Sequence, residues 1–310
     1  MESVKVSVLL PVYNGGLTLS QAIASILCQN MTEFELIIID DCSTDNSASI
    51  IRQYAEKDSR INPVFHDVNI GLARTLNEGL SLAQSDFVAR MDQDDESLPQ
   101  RLRIQHDYMH GHPEVTVVGS YVYHMGAKQE FDRLVELPSE AEQIKQTLLQ
   151  YNCMYHPSVM MRRNKICDLG GYQAEFKNAE DYDLWLRVSK IYPLTNITEP
   201  LLRYRFSVTG MTLSRKWEQL FYVYLAQACH ENEMRSMEFA NLKAQEMLKK
   251  MDKAYFLREV ANGTISELLK LKLWRDAIDL TWKFSIDVGV KKSVHLLMRV
   301  VKSYLIPHVS

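Results

Sequence analysis

Val4-Lys5-Val6-Ser7-Val8-Leu9-Leu10-Pro11 and, further along, Phe34-Glu35-Leu36-Ile37-Ile38-Ile39-Asp40-Asp41 decide how this chain folds. Both are near-continuous apolar runs rich in β-branched residues, the pattern of strands buried on both faces of a parallel sheet. The first is expected over 4–10, stopped by Pro11. The second is expected over 34–39 and delivers two carboxylates where it ends. Between them, 18–29 has helical spacing, and Ser43-Thr44-Asp45-Asn46-Ser47 suits the cap of a helix running to Tyr54.

The alternation continues outward. Residues 61–66 read as a third strand, 72–83 as a helix opened after Gly71, and 86–91 as a fourth strand that again ends in acids. Such alternation predicts an α/β domain with a mixed, mainly parallel central sheet flanked by helices. Ligands of such sheets sit beyond the carboxyl ends of the strands, so Asp40-Asp41 and the acids of 92–95 should share one edge. A helix over 99–109, a strand over 115–123 and a less patterned stretch to Asn152 follow. His156-Pro157-Ser158 precedes apolar Val159-Met160-Met161, Gly170-Gly171-Tyr172 marks a turn, and 179–190 reads as a helix with acids in its first turn. From Trp217 the pattern is helical, and a boundary near Ser214 divides a domain, 1–213, from a helical C-terminal extension, 214–310.

Composition narrows the function. With 310 residues, 46% hydrophobic and 24% charged, the chain fits a globular enzyme. A formal net charge of −4 provides no basic field for phosphate backbones, which excludes nucleic acid as the expected partner. Cys28, Cys42, Cys153, Cys167 and Cys229 are scattered, with neither disulfide nor zinc spacing. No signal-peptide core and no apolar run of about 20 residues is visible, so a cytoplasmic location is expected. The stretch 270–310 carries eight Lys and Arg against three Asp, interleaved with Trp274, Trp282, Phe284 and Leu296. It suits peripheral contact with the inner face of an anionic membrane, or packing on the catalytic domain or a second subunit of a homo-oligomer.

Three acidic clusters carry the chemistry. Met91-Asp92-Gln93-Asp94-Asp95 follows a buried strand, where carboxylates can share Mg²⁺ or Mn²⁺ with phosphate oxygens and so stabilise a leaving diphosphate; the alternative is a solvated acidic turn. Asp40 and Asp41 exceed what one helix cap needs, and a carboxylate there can accept from a nucleobase N–H or ribose hydroxyls. Glu180-Asp181 opens a helix and either complements its dipole or supplies a general base.

Together, Val6-Ser7-Val8-Leu9-Leu10-Pro11-Val12-Tyr13-Asn14, Asp41-Cys42-Ser43-Thr44-Asp45, Asn69-Ile70-Gly71-Leu72-Ala73, Ala89-Arg90-Met91-Asp92-Gln93-Asp94-Asp95 and Glu180-Asp181 resemble family 2 glycosyltransferases of bacterial cell-surface polysaccharide synthesis, in order and over about two thirds of the chain. The resemblance implies a glycosyltransferase-A fold. It implies inverting transfer from a nucleotide-diphosphate donor, a UDP-hexose or UDP-N-acetylhexosamine, to a saccharide or lipid-linked saccharide acceptor. It puts Pro11, Tyr13, Asp41, Arg74 and Asp92 around the nucleotide, with Asp40 a neighbour of that pocket, and Asp94 on the metal. Asp181 becomes the base, with Glu180, His156 and Tyr172 on the acceptor side and the unpatterned stretch before Asn152 an acceptor-side insertion.

His156 can serve as a diphosphate contact or as a buried hydrogen-bonding group. Many relatives carry a metal-site histidine where this chain has Ser207, which either weakens the metal site or leaves Arg203, Arg205 or Thr209 to take over the phosphate contact. Two rivals remain. A nucleotidyltransferase needs a glycine-rich phosphate loop, for which Gly15-Gly16 is too short. A catalytically silent nucleotide- or glycan-binding homologue would not need Asp92, Asp94 and Asp181 together.

Overall fold

The computed structural model describes residues 4–126, 132–205, 213–231, 236–273, 276, 277 and 280. Ser207, Thr209, Trp282, Phe284, Leu296 and most of the basic stretch 270–310 lie outside them. The chain forms two compact units, Met1–Tyr123 with Leu134–Arg205, and His124–Arg133 with Phe206–Ser310.

The first unit is built on strands β1 (Val6–Val12), β2 (Phe34–Asp40), β3 (Ile61–Phe65), β4 (Phe87–Arg90), β5 (Glu96–Ser97), β6 (Val117–His124), β7 (Arg133–Val135), β8 (Met160–Arg162) and β9 (Leu194–Tyr204). Their order is β3-β2-β1-β4-β8-β6-β9-β5, with β7 beside β6. Strands β3, β2, β1 and β4 are parallel, whereas β8 runs antiparallel to β4 and β6, and β5 antiparallel to β9. Every residue of β1 and β2 is buried, as their unbroken apolar runs require. In register, Val12 stands beside Asp40, and Leu9 beside Arg90, so three strands end at one edge.

Pro11 does not stop β1 but lies inside it, opposite Ile39. Met91 N donates to Leu9 O at 3.0 Å, so Leu9, and two residues on Pro11, face β4. Strand β4 has already ended there, at Arg90 opposite Leu9, and the missing N–H costs no ladder bond.

Helices α1 (Leu19–Leu27), α2 (Ser47–Ala55), α3 (Leu72–Leu82), α4 (Arg101–Gly111), α5 (Ala141–Leu148), α6 (Arg163–Asp168) and α7 (Glu180–Ile191) complete the unit. In α1 the buried set Leu19, Ala22, Ile23 and Ile26 is one helical face. Gly79 lets α3 approach β1 closely, since a Cβ there would fall 2.1 Å from Leu9 Cδ1. The stretch expected to be unpatterned contains β7 and α5; α5 anchors itself through buried Ile144 and Leu148.

Two buried polar hubs hold the layers. At the edge away from the acids, Glu35 Oε1 accepts from Ser7 Oγ (2.6 Å) and Gln84 N (2.8 Å), and Oε2 from Asn62 Nδ2 (2.7 Å) and Gln84 Nε2 (3.0 Å). Beneath the acids, Arg101 Nη2 donates to the carbonyls of Arg90 (2.7 Å) and Val159 (3.2 Å), and Nε to Gln105 Oε1 (3.0 Å). Burial lowers the Arg101 guanidinium to about 9.

The second unit contains α8 (Leu213–Glu231), α9 (Met237–Lys250) and α10 (Lys253–Lys270). Ser236 and Asp252 cap the latter two through Phe239 N and Tyr255 N. Glu267 of α10 pairs with Arg133 and, at 3.0 Å, with His124 Nδ1, which ties 124–133 into this unit. Among the described residues no helix is long and apolar enough to cross a membrane.

Candidate active site

A cleft of about 590 Å³ opens at the carboxyl ends of β1, β2 and β4, within the size range of ligand pockets. Pro11, Tyr13, Asp41, Asp92 and Asp94 line it, so five of the residues singled out in the sequence meet there. Lys177, Asn178 and Tyr204 also line it, and no local motif announced them. Arg74 is exposed on α3 and is not among the lining residues, although its neighbour Thr75 is.

Asp41 ends the β1–β2 ladder, its N–H donating to Val12 O at 2.8 Å. Its carboxylate gathers the turn before α3: Oδ1 accepts from Ile70 N at 2.8 Å, and Oδ2 from Gly71 N at 2.9 Å. His66 Nδ1 lies 2.8 Å from Oδ1, and His66 Nε2 2.8 Å from Glu78 Oε2. Burial opposes protonation of His66, but its bonds to Asp41 and Glu78 outweigh this and hold its pKa above the ordinary histidine value. Oδ2 therefore keeps acceptor capacity toward the cleft. Asp40, just behind, accepts from Ser43 N at 3.2 Å.

Within the cluster expected to cap α2, Asn46 is the N-cap without a side-chain cap bond, and Asp45 Oδ1 accepts from Ser47 N, the first residue of α2, at 2.9 Å. Ser43, Thr44 and Asp45 also brace the loop after β1: Asn14 N donates to Ser43 Oγ (2.9 Å), Gly16 N to Asp45 Oδ2 (2.9 Å), and Thr44 N to Asn14 Oδ1 (2.8 Å). Gln93 closes the other side, accepting from Tyr13 N at 2.9 Å and donating to Tyr13 O at 3.1 Å. Tyr13 itself is half exposed at the cleft.

Asp92, Asp94 and Asp95 each offer a carboxylate oxygen within 4.8 Å of the others. Burial and the Asp92 charge push Asp94 up to about 6. Asp95 is raised for the same reasons, with Asp94 adding to them. Asp95 Oδ1 accepts from Arg205 N at 2.7 Å, but its buried Oδ2 has no partner among the described residues. Mutually repelling carboxylates with an orphaned buried oxygen are the donor set that a hard divalent cation satisfies. Asp95, unassigned from the sequence, thus joins Asp92 and Asp94. Arg203 pairs with Glu96, and Arg205 Nε donates to Asp94 O at 2.8 Å, so both arginines brace this loop.

Arg90, fully buried at the end of β4, pairs with Asp92. Burial works against its charge, yet Asp92 and Asp95 raise its pKa above the ordinary arginine value. The same cation draws the Glu180 and Asp181 carboxyls toward ionisation, so it acts on both acidic groups.

Glu180 and Asp181 occupy the first turn of α7. Glu180 is buried and pushed up to about 7, first by burial and then by the Asp181 charge. Burial also raises Asp181, but Tyr182 N (2.7 Å to Oδ1) and Asn152 Nδ2 (2.9 Å to Oδ2) favour its ionised form. His156 and Tyr172 do not line the cleft: both are buried, and His156 Nε2 lies 2.8 Å from the Tyr172 hydroxyl. Burial and Arg90 keep the imidazole neutral. The turn beneath needs glycine, because Gly171 has φ 63° and a Cβ would meet Asn77 Oδ1 at 2.4 Å.

The chain is 35% identical over 207 residues to the O-antigen biosynthesis glycosyltransferase WbnJ of Escherichia coli, covering 64% of this chain and 79% of that one. Among solved structures it resembles Staphylococcus aureus TarS in complex with UDP-GlcNAc (TM-score 0.58, 17% identity, 97% of this chain and 91% of that one). It also resembles the mannosyltransferase PcManGT of Pyrobaculum calidifontis in complex with GDP-Man and Mn²⁺ (TM-score 0.58, 16% identity, 99% and 82%). These two likenesses carry the glycosyltransferase-A type fold. Residues 7–170, just over half the chain, match the model of glycosyl transferase family 2, and the chain belongs to that family.

Proposed function

We propose that the chain transfers a hexose or N-acetylhexosamine from a UDP-sugar to a saccharide or lipid-linked saccharide acceptor in cell-surface polysaccharide synthesis, with inversion at the anomeric carbon. One observation carries this reading: Asp41, Asp92 and Asp94 open on a single cleft at the strand ends. The chemistry is assigned to 1–213, with 214–310 as a helical extension. A relative of O-antigen biosynthesis supports the polysaccharide acceptor. A fold neighbour holding UDP-GlcNAc supports the donor class. Nucleotide sugars carry charges that do not cross a bilayer unaided, which favours the cytoplasmic side as the place of reaction.

In this reading Pro11 and Tyr13 lie against the base, and the remaining acceptor capacity of Asp41 takes a nucleoside N–H or hydroxyl. Asp92, Asp94 and Asp95 would hold Mg²⁺ or Mn²⁺, which supplies Lewis-acid stabilisation of the diphosphate charge. Asp181 removes the proton of the acceptor hydroxyl as its oxygen attacks the anomeric carbon from the face opposite the diphosphate. The bond from that carbon to the diphosphate oxygen breaks, and UDP leaves with the electron pair. Glu180, pushed up to about 7 and so about half protonated at neutral pH, donates a hydrogen bond to the acceptor in its protonated form.

The test is a panel of UDP- and GDP-sugars offered with cell-surface oligosaccharide and lipid-linked acceptors, with nucleotide release measured and the product anomer read by NMR. Turnover of a UDP-sugar with inversion supports the reading. Turnover of GDP-sugars alone, or retention, overturns it.

A further inference from the structure

The orientation of Asp181 is set from outside its own helix. Asn152 Nδ2 donates to Asp181 Oδ2 at 2.9 Å, and Asn152 Oδ1 accepts from Met154 N at 3.1 Å. The amide cannot flip without losing both bonds, so its donor is committed to the carboxylate. The segment that carries Asn152 is tied down. The Tyr182 hydroxyl donates to Leu148 O at 2.5 Å, Tyr151 N donates to Thr147 O at 3.0 Å, and Cys153 and Met154 are buried. A short strut thus runs from the end of α5 to the first turn of α7, in the stretch where the sequence showed no pattern.

We propose that Asn152 is a positioning residue for the transfer: its amide fixes Asp181 Oδ2 in place and makes Asp181, rather than the adjoining Glu180, the carboxylate that accepts the acceptor's proton. This rests on the assignment of Asp181 as the base. Two adjacent carboxyls in a partly dry site cannot both ionise cheaply, and hydrogen bonds to one of them decide which carries the charge. The donor at Glu180 is its own backbone N–H, whereas Asp181 has Tyr182 N and the Asn152 amide. The other charged or titratable groups acting on the pair are Arg90 at the end of β4, Asp92 beyond it, and Tyr172 at the Gly170-Gly171 turn. Arg90 acts on both carboxyls and does not choose between them; Tyr182 N and the Asn152 amide do, and the amide is the one of the two that comes from outside α7.

The experiment follows Asp181 in the full chain by its side-chain carboxyl ¹³C shift over pH, assigned by its loss in Asp181→Asn. Wild type is compared with Asn152→Ala and with Asn152→Ser, which keeps an uncharged acceptor for Met154 N. Loss of a hydrogen bond to a charged group should move the Asp181 titration up by about 1 pH unit. The acid limb of kcat/KM for a UDP-sugar should move with it, while donor KM stays within about twofold. If the titration and the acid limb stay where they are in both variants, Asn152 is only structural and the proposal fails, whatever happens to activity or melting. Asp181→Asn separates the two claims. Turnover retained in that variant removes the base assignment itself, whereas turnover lost there with an unmoved titration in the Asn152 variants overturns the positioning role alone.

Discussion

Replacing Glu180 by Gln should stabilise the protein, and only at the alkaline end. The carboxyl is buried and its pKa stands at about 7 in the folded chain against 4.5 for an unperturbed glutamate. The folded state therefore holds this proton more tightly than the unfolded state. Stability from this group is fully present below about pH 4.5 and is lost as pH rises through about 7. A gap of about 2.5 units at ~1.36 kcal/mol each comes to about 3 kcal/mol, most of which develops between pH 5 and pH 8. Glutamine keeps the shape and cannot ionise. Urea unfolding of both proteins should give a stability difference that widens by about 2 kcal/mol in favour of the variant from pH 5 to pH 8, with unchanged slopes. A difference that does not vary with pH would refute the reasoning, since it would mean that Glu180 is not held protonated by its surroundings.

Other consequences can be checked separately. Asp95→Asn should weaken Mn²⁺ binding in calorimetry by about tenfold or more while leaving the circular dichroism spectrum intact, because it removes one charge from the three-carboxylate group. Glu35→Ala should lower unfolding stability by about 1–3 kcal/mol in denaturant titration, since the buried Ser7 hydroxyl and the donors of exposed Asn62 and Gln84 lose their buried acceptor. Gly79→Val should cost about 1–3 kcal/mol in the same assay, because the added methyl groups press on Leu9 across the α3–β1 contact.

The sequence disclosed what repeats locally. The apolar runs of β1 and β2, the helical spacing of α1 and α3, and the acids beyond β2 and β4 were legible because period and strand-end placement are properties of neighbouring residues. The shared edge followed from the rule that parallel strands bring their carboxyl ends together. What escaped reading depends on partners distant in sequence. Ser43 to Asp45 read as part of a helix cap, which Asp45 serves at Ser47 N, but only the fold places the loop of Asn14 to Gly16 within their reach. Asp95 was indistinguishable from its neighbours until its buried oxygen was seen without a partner. The His66–Asp41 contact spans 25 positions, and that of Asn152 with Asp181 spans 29. His156 and Tyr172 were placed beside the acceptor by resemblance, whereas the structure pairs them with each other under the Gly170-Gly171 turn.

The most direct test of the account is UDP release from a UDP-sugar by the purified protein with Mn²⁺ and then with EDTA, comparing wild type with Asp94→Ala and Asp181→Asn. The account predicts release that requires the metal and is lost in both variants. Release that survives EDTA and both substitutions would contradict it, as would tight nucleotide binding without turnover of any donor in the presence of a full acceptor panel, the behaviour of a silent homologue.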